Sequence, residues 1–168
     1  IKNLGIIGGG QLGSLLADAA KKLNIQTTIY CDDINAPAQN FCDNFIYGKY
    51  DDKSKIEEFI KVVDIITYEF ENIPYETLND INLSKPVLPK PSVNKLIQHR
   101  ISEKDFINKL NIRTTRYAAI ESKSDIEPLG DFLPGILKTT TLGYDGKGQY
   151  PIRKIKEIES LNLDFSKG

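Results

Sequence analysis

Apolar and polar positions along residues 1–90 form a repeating pattern of strands and helices. Short apolar runs predict strands, and apolar residues spaced three and four apart predict helices between them. Alternating strands and helices favour a doubly wound α/β fold, in which a parallel sheet is covered on both faces and binds ligands beyond the C-terminal ends of its strands. The predicted strands are 4–7, 27–30, 44–47, 64–68 and 87–88, and the predicted helices are 11–23, with Leu12, Leu15, Leu16 and Ala19 on one face, and 54–62.

A proline-rich stretch, residues 86–91, separates this pattern from a second one. Beyond it, Ser92 and Ser102 are predicted to cap two helices, the second with Phe106, Ile107 and Leu110 on its inner face. Strands follow at 117–120, 136–138 and 149–153, with a last helix from about 154. We therefore predict a Rossmann-like domain over residues 1–91 and, over 92–168, a helical linker and the first part of an α+β domain.

Composition and charge argue against several classes of binding partner. The chain is 40% hydrophobic and 27% charged with a net charge of -1, typical of a soluble globular protein with no field to attract nucleic acid or anionic lipid. No apolar run approaches membrane-spanning length. Cys31 and Cys42 match no metal spacing and the single His99 cannot build a zinc site, so we predict no metal site in this chain. For the two cysteines we favour free buried thiols in a reducing cytoplasm, and one disulfide between them is the alternative.

A glycine cluster follows the first predicted strand and opens the first helix. Gly8, Gly10 and Gly13 fit the dinucleotide fingerprint, and Asp32 and Asp33 lie where a ribose-binding acid is expected. We rank a general phosphate site at the helix N-terminus first, NAD binding second and a plain tight turn third.

Two acids follow the fourth predicted strand. Glu69 and Glu71 point the same way if the strand continues through them, and could then bind an amine or hydroxyl groups. The alternative is an ordinary solvated strand end.

Lys138 ends a predicted strand, and a loop with glycines at 143, 146 and 148 follows it. A strand, a glycine loop and a second strand form a flap that can close over a nucleotide, with the lysine as a point charge for phosphate. Arg100 could also reach a phosphate. Alone, Lys138 could be an exposed edge-strand lysine, Arg100 a surface arginine and the loop a plain hairpin turn.

Taken in order, these segments resemble N5-carboxyaminoimidazole ribonucleotide synthetase, an ATP-grasp family. The resemblance rests on residues 7–13, 68–72, Arg100 with 103–104, and 137–149. It implies a pre-ATP-grasp domain followed by an incomplete ATP-grasp domain. It also implies that ATP, with Mg²⁺, phosphorylates bicarbonate to carboxyphosphate, and that the amine of 5-aminoimidazole ribonucleotide captures the carboxyl group in purine synthesis.

The resemblance also assigns residues. ATP contacts are expected from Arg100, Lys138 and the loop of Gly143, Tyr144, Asp145, Gly146, Lys147, Gly148 and Gln149. Gly10, Gln11, Leu12, Glu69, Glu71 and Asn72 are expected to border the substrate pocket. The main catalytic acids, the Mg²⁺ ligands and the adenine site are expected beyond Gly168, so the chain is expected to be an inactive N-terminal fragment. A homodimer is expected from the resemblance alone.

Four residues depart from the family's usual pattern: Ser14 for arginine, His99 for aspartate, Thr140 for arginine and Leu142 for glycine. They affect the expected phosphate affinity and leave Lys138 and the loop in place. Two other functions stay open from the residues: an NAD(P)-dependent oxidoreductase, and a non-catalytic nucleotide-binding or dimerisation module.

Overall fold

The structure is a computed structural model, and it describes residues 1–143, 146, 148–161, 163 and 165. The chain divides into two compact units, Ile1–Lys95 and Leu96–Gly168. The domain boundary that we placed after residue 91 stays a prediction. The α/β class with a doubly wound parallel sheet is confirmed in the first unit, which holds four parallel strands in the order β3-β2-β1-β4.

The first unit alternates strands and helices as the apolar pattern predicts. Its strands are β1 (Asn3–Ile7), β2 (Gln26–Cys31), β3 (Asn44–Tyr47) and β4 (Ile65–Tyr68). Its helices are α1 (Gln11–Lys22), α2 (Lys53–Val62), α3 (Tyr75–Asn82) and α4 (Pro91–Ile97), with a 3-10 segment at Pro37–Asn40.

Both faces of the parallel sheet are buried, because successive residues of a strand point to opposite sides. Ile6 and Ile29 are paired in the sheet and pack with Ala17 of α1. Their neighbours Ile7 and Tyr30 are also paired and belong to a second core, with Phe59 of α2 and with α3. Each face therefore has its own helical cover, and the C-terminal strand ends are left to form a site.

Helix α1 packs on the sheet through its small residues, not its leucines. Its buried residues are Gly13, Ser14, Ala17 and Ala20, whereas Leu12 and Leu15 are 57% and 58% exposed. Small side chains let the helix approach the sheet closely. The spacing of the leucines predicts the helix correctly, but the face that carries them is exposed.

Two expected strands are not formed, and one helix was not predicted. Val87 makes only an isolated parallel bridge to Ile66, so the fifth strand at 87–88 is not formed. The segment 117–120 forms no strand. Helix α3 was not predicted; its N-cap is Pro74, and Leu78 and Ile81 are its buried residues.

The second unit contains α5 (Arg100–Lys109), β5 (Gly135–Lys138), β6 (Gln149–Ile152) and α6 (Lys156–Glu159), with 3-10 segments at Lys123–Asp125 and Glu127–Phe132. Strands β5 and β6 form an antiparallel hairpin. A small core of Ile126, Ile152 and Ile158 lies beneath it. No helix in the described part of the chain is long and apolar enough to cross a membrane.

Helix α5 differs from its prediction at its cap and on its inner face. Its N-cap is His99, three residues before the predicted cap Ser102, and the His99 imidazole accepts the Ser102 backbone N–H at 3.4 Å. Phe106 and Leu110 are 46% and 56% exposed, so the inner face expected for them is wrong.

Candidate functional site

The glycine turn between β1 and α1 is held tightly against the strand ends. Gly8 has a φ of 109°, a conformation that favours glycine, and its N–H donates to the Tyr30 carbonyl at 2.9 Å. A side chain at Gly13 would lie 2.8 Å from the Gly8 carbonyl oxygen. The turn therefore requires glycine at both positions and presents the N-terminus of α1 at the carboxyl edge of the sheet.

The carboxylate of Glu69 occupies that helix N-terminus. Its Oε1 accepts the backbone N–H of Gly10, the N-cap residue, at 2.9 Å. A helix N-terminus attracts negative charge through its free N–H groups and its dipole. The chain thus fills its own anion site with a carboxylate. This arrangement disfavours a dinucleotide pyrophosphate there, so it argues against NAD binding.

The acids after β2 also have partners of their own. Asp33 accepts the backbone N–H of Asn35, and Asp32 is hydrogen-bonded to the phenol of Tyr50. Burial raises the pKa of the Tyr50 phenol, and the charge of Asp32 raises it further. Tyr50 therefore stays protonated and donates to Asp32. The sequence analysis did not predict this contact.

The segment after β4 does not continue the strand, which ends at Tyr68. The condition for Glu69 and Glu71 to point the same way is therefore not met: Glu69 turns to Gly10, and Glu71 is exposed. The Asn72 amide nitrogen is buried and makes no hydrogen bond within the described residues.

Asn94 of α4 forms a hydrogen bond to the segment after β4, and the sequence analysis did not single it out. Its side chain is fully buried, and its Nδ2 donates to the Glu71 carbonyl at 2.9 Å. No spacing distinguishes it from the exposed polar residues around it in the sequence. Gln11 and Leu12, at the start of α1, are both exposed.

In the second unit, Lys138 ends β5 opposite Gln149 of β6. Just beyond this pair, the Thr139 N–H donates to the Gly148 carbonyl at 2.9 Å. The strand before the glycine loop and the strand after it, both expected from the sequence, are thus formed. Gly146 and Gly148 have φ values of 78° and 63°, where glycine is favoured. Tyr144, Asp145 and Lys147 lie outside the described residues.

Arg100 contacts the start of the same loop twice. Its backbone N–H donates to the Thr140 carbonyl at 2.9 Å, and its Nη2 donates to the Gly143 carbonyl at 2.5 Å. The first residue of α5 is thereby joined to the end of β5, although the two lie about 40 residues apart in the chain.

Arg100 and Lys138 line one cavity of about 780 Å³ in the second unit. Its walls combine apolar side chains with cationic ones, and the cationic side chains suit phosphate groups. Arg100, Lys104, Arg116 and Lys138 supply the positive charge, with Glu103 and Asp131 as acids. Among the described residues there is no cluster of three or more histidine, cysteine or acidic side chains that could hold a metal ion.

These two sites agree with the family matches. Residues 1–98 match the ribonucleotide synthetase preATP-grasp domain. The chain belongs to this family. Residues 105–167 match the ATP-grasp domain, so the order of the two domains is also the expected one.

Known relatives extend the match to nearly all of the chain. An N5-carboxyaminoimidazole ribonucleotide synthase of Brucella melitensis is 37% identical over 161 residues, which cover 95% of this chain and 44% of that protein. A crystal structure of an ADP complex of an N5-carboxyaminoimidazole ribonucleotide synthetase is 34% identical, with a TM-score of 0.86 over 94% of this chain and 42% of that one. An ATP complex of the Aspergillus clavatus enzyme is 26% identical, with a TM-score of 0.80 over 94% and 43%.

The resemblance to the N-terminal part of these synthetases is thereby confirmed. The chain spans less than half the length of the curated relatives that it matches. The roles of its individual residues stay predictions.

Proposed function

We propose that this chain acts in the ATP-dependent carboxylation of 5-aminoimidazole ribonucleotide by bicarbonate, a step of purine synthesis. The observation that carries the proposal is that Arg100 and Lys138 line the same cavity, beside a glycine loop. The ATP-grasp match over residues 105–167 supports a nucleotide as the ligand. The names of the synthetases that the chain matches support the substrate.

In the proposed reaction, a bicarbonate oxygen attacks the γ-phosphorus of ATP, and the bond to the β-phosphate oxygen breaks to release ADP. The amine of the ribonucleotide then forms a bond to the carboxyl carbon of carboxyphosphate, which loses phosphate. Phosphoryl transfer depends mainly on positioning and on stabilising charge. We assign these tasks to Arg100, Lys138 and the loop amides of residues 143–149.

The first unit is proposed to border the ribonucleotide or bicarbonate pocket. Gly10, Gln11, Leu12, Glu69, Glu71 and Asn72 are the residues proposed for it. Support comes from the position of Gly10 and Glu69 at the carboxyl edge of the sheet, where ligands of such folds bind. Glu71 and Asn72 belong to the segment that Asn94 holds in place.

Three further features are proposed on the basis of the family and the reaction. Mg²⁺ is proposed to bind with ATP, since this ion is commonly held by substrate phosphates and one or two carboxylates. A homodimer is proposed from the resemblance alone. A cytoplasmic location follows from the proposed role in purine synthesis.

The proposal is tested by measuring phosphate release by the complete gene product with ATP, Mg²⁺ and bicarbonate, with and without 5-aminoimidazole ribonucleotide. We expect the ribonucleotide to stimulate release, and Lys138→Ala to abolish the stimulation because a phosphate contact is lost. Lys154→Ala is the matched control, because Lys154 is exposed and does not line the cavity.

Circular dichroism establishes that each variant folds. Unstimulated release by a folded protein, or equal loss of activity in both lysine variants, would count against the proposal.

A further inference from the structure

Two hydrogen bonds from one residue fix the segment Thr140–Gly143, called here the loop start. The Arg100 backbone N–H reaches the Thr140 carbonyl, and the guanidinium reaches the Gly143 carbonyl. The two carbonyls lie on either side of Leu142. Gly143 is itself buried, so its carbonyl has limited access to water as an alternative partner.

Leu142 shows that the loop start needs such support. Its φ is 55°, in the left-handed region that costs a residue with a side chain energy. Its side chain is 68% exposed and therefore gains little from burial in return. A strained residue of this kind persists where its surroundings fix the backbone. Arg100 fixes the backbone on both sides of Leu142, through the Thr140 and Gly143 carbonyls.

Arg100 also faces the cavity that it shares with Lys138, Thr139 and Thr140. A guanidinium carries five N–H donors in a rigid plane, and the Gly143 carbonyl engages one of them. One arginine therefore has the geometry to hold a carbonyl and a phosphate oxygen together, whereas an ammonium lacks that fixed fork.

We propose that Arg100 is a positioning residue that couples the bound nucleotide to the conformation of the loop start. It holds the loop start in the free protein, and a phosphate on its guanidinium restrains it further. The coupling to nucleotide rests on the proposed function, but the hold on the loop start does not.

Hydrogen exchange measured by mass spectrometry on the complete gene product tests both parts. The reporters are the amides of residues 100 and 139, which donate to the Thr140 and Gly148 carbonyls. Loss of a bond from a charged donor changes an opening equilibrium roughly ten- to a hundredfold. We therefore expect Arg100→Gln to exchange at least about tenfold faster at these amides without nucleotide.

Arg113→Gln is the matched control, because Arg113 is exposed and does not line the cavity. It should exchange like the wild type. Peptides from β1 and from β6 should be unchanged in every variant, which shows that both units still fold. Equal exchange at the reporters in Arg100→Gln and the wild type would overturn the proposal.

The coupling is tested with saturating ATP. ATP should slow exchange at the reporters in the wild type, and Arg100→Lys, which keeps a charge for phosphate, should bind ATP without this protection. Protection of Arg100→Lys equal to that of the wild type would overturn the coupling. If calorimetry shows that the wild type binds no ATP, the proposed function fails, while faster exchange in nucleotide-free Arg100→Gln would still support the hold on the loop start.

Discussion

Replacing Gly8 by alanine tests the contact between the glycine turn and Glu69. A methyl group at Gly8 would lie 2.7 Å from the Glu69 Oε1 and 3.0 Å from its Cγ and Cδ. Such distances are too short for non-bonded atoms, so the Glu69 side chain must move. Movement breaks its bond to the Gly10 N–H. The backbone is also strained, because the φ of 109° disfavours alanine.

The two effects give the size of the expected change. Backbone strain of this kind costs on the order of 1–3 kcal/mol. A hydrogen bond to a charged group contributes about 1.5–3 kcal/mol, and partial exposure of this one favours the lower end. We expect Gly8→Ala to lower the free energy of unfolding by about 3 kcal/mol.

Urea unfolding followed by circular dichroism suits the measurement, because the chain has no tryptophan. In a Glu69→Ala background, Gly8→Ala should cost only the backbone strain, which leaves a coupling of about 1.5 kcal/mol in the double-mutant cycle. Gly130→Ala is the control, because a side chain there meets nothing within 4 Å. A coupling below about 0.5 kcal/mol, the usual limit of additivity, would show that Gly8 and Glu69 act independently.

Three further changes have definite expected outcomes in the same assay. Leu142→Gly should stabilise the second unit by about 0.5–1 kcal/mol, since relief of the left-handed strain exceeds the added entropy of the unfolded chain; a clear loss of stability would contradict this. His99→Asp should add about 0.5–1 kcal/mol, because a carboxylate caps a helix better than an imidazole at 3.4 Å; no gain would mean that this cap contributes little. Burial raises the pKa of the Tyr30 phenol from 10.0 to about 12, so as the pH rises the unfolded chain releases this proton before the folded protein does. Between pH 8 and pH 11 the free energy of unfolding of the wild type should therefore fall by about 1.4 kcal/mol relative to that of Tyr30→Phe. Parallel pH profiles of the two proteins would show that Tyr30 does not titrate in this way.

The sheet was predictable because its strands are short, continuous apolar runs buried on both faces, as Ile6 and Ile7 show. The face of α1 that packs on the sheet was not predictable. Periodicity locates the helix, but the leucines and the small residues of α1 both recur at helical spacing. The short packing distance between helix and sheet selects the face with Ala17 and Ala20. Helix α3 was missed because its pattern is short and its two buried residues lie among polar ones.

The site was predictable in its residue types and less so in its contacts. Glycines and acids at strand ends indicated the edge of the sheet that would matter. The pairing of Glu69 with Gly10 joins positions 59 residues apart, so no local pattern could reveal it. The same holds for Arg100 and Gly143, which are 43 residues apart. The structure also explains why the family usually has glycine where this chain has Leu142: the position adopts a left-handed conformation that glycine adopts without strain.

The proposed function requires that the complete gene product forms carboxyphosphate and passes its carboxyl group to an amine. The most direct measurement supplies ¹⁸O-labelled bicarbonate with ATP, Mg²⁺ and 5-aminoimidazole ribonucleotide, before the label exchanges with water, and analyses the released phosphate by mass spectrometry. Because a bicarbonate oxygen attacks the γ-phosphorus and leaves with it, we expect one ¹⁸O in each phosphate released in the presence of ribonucleotide. Phosphate without label, released by a folded and ATP-binding protein, would show that water accepts the phosphoryl group and would rule out the proposed reaction.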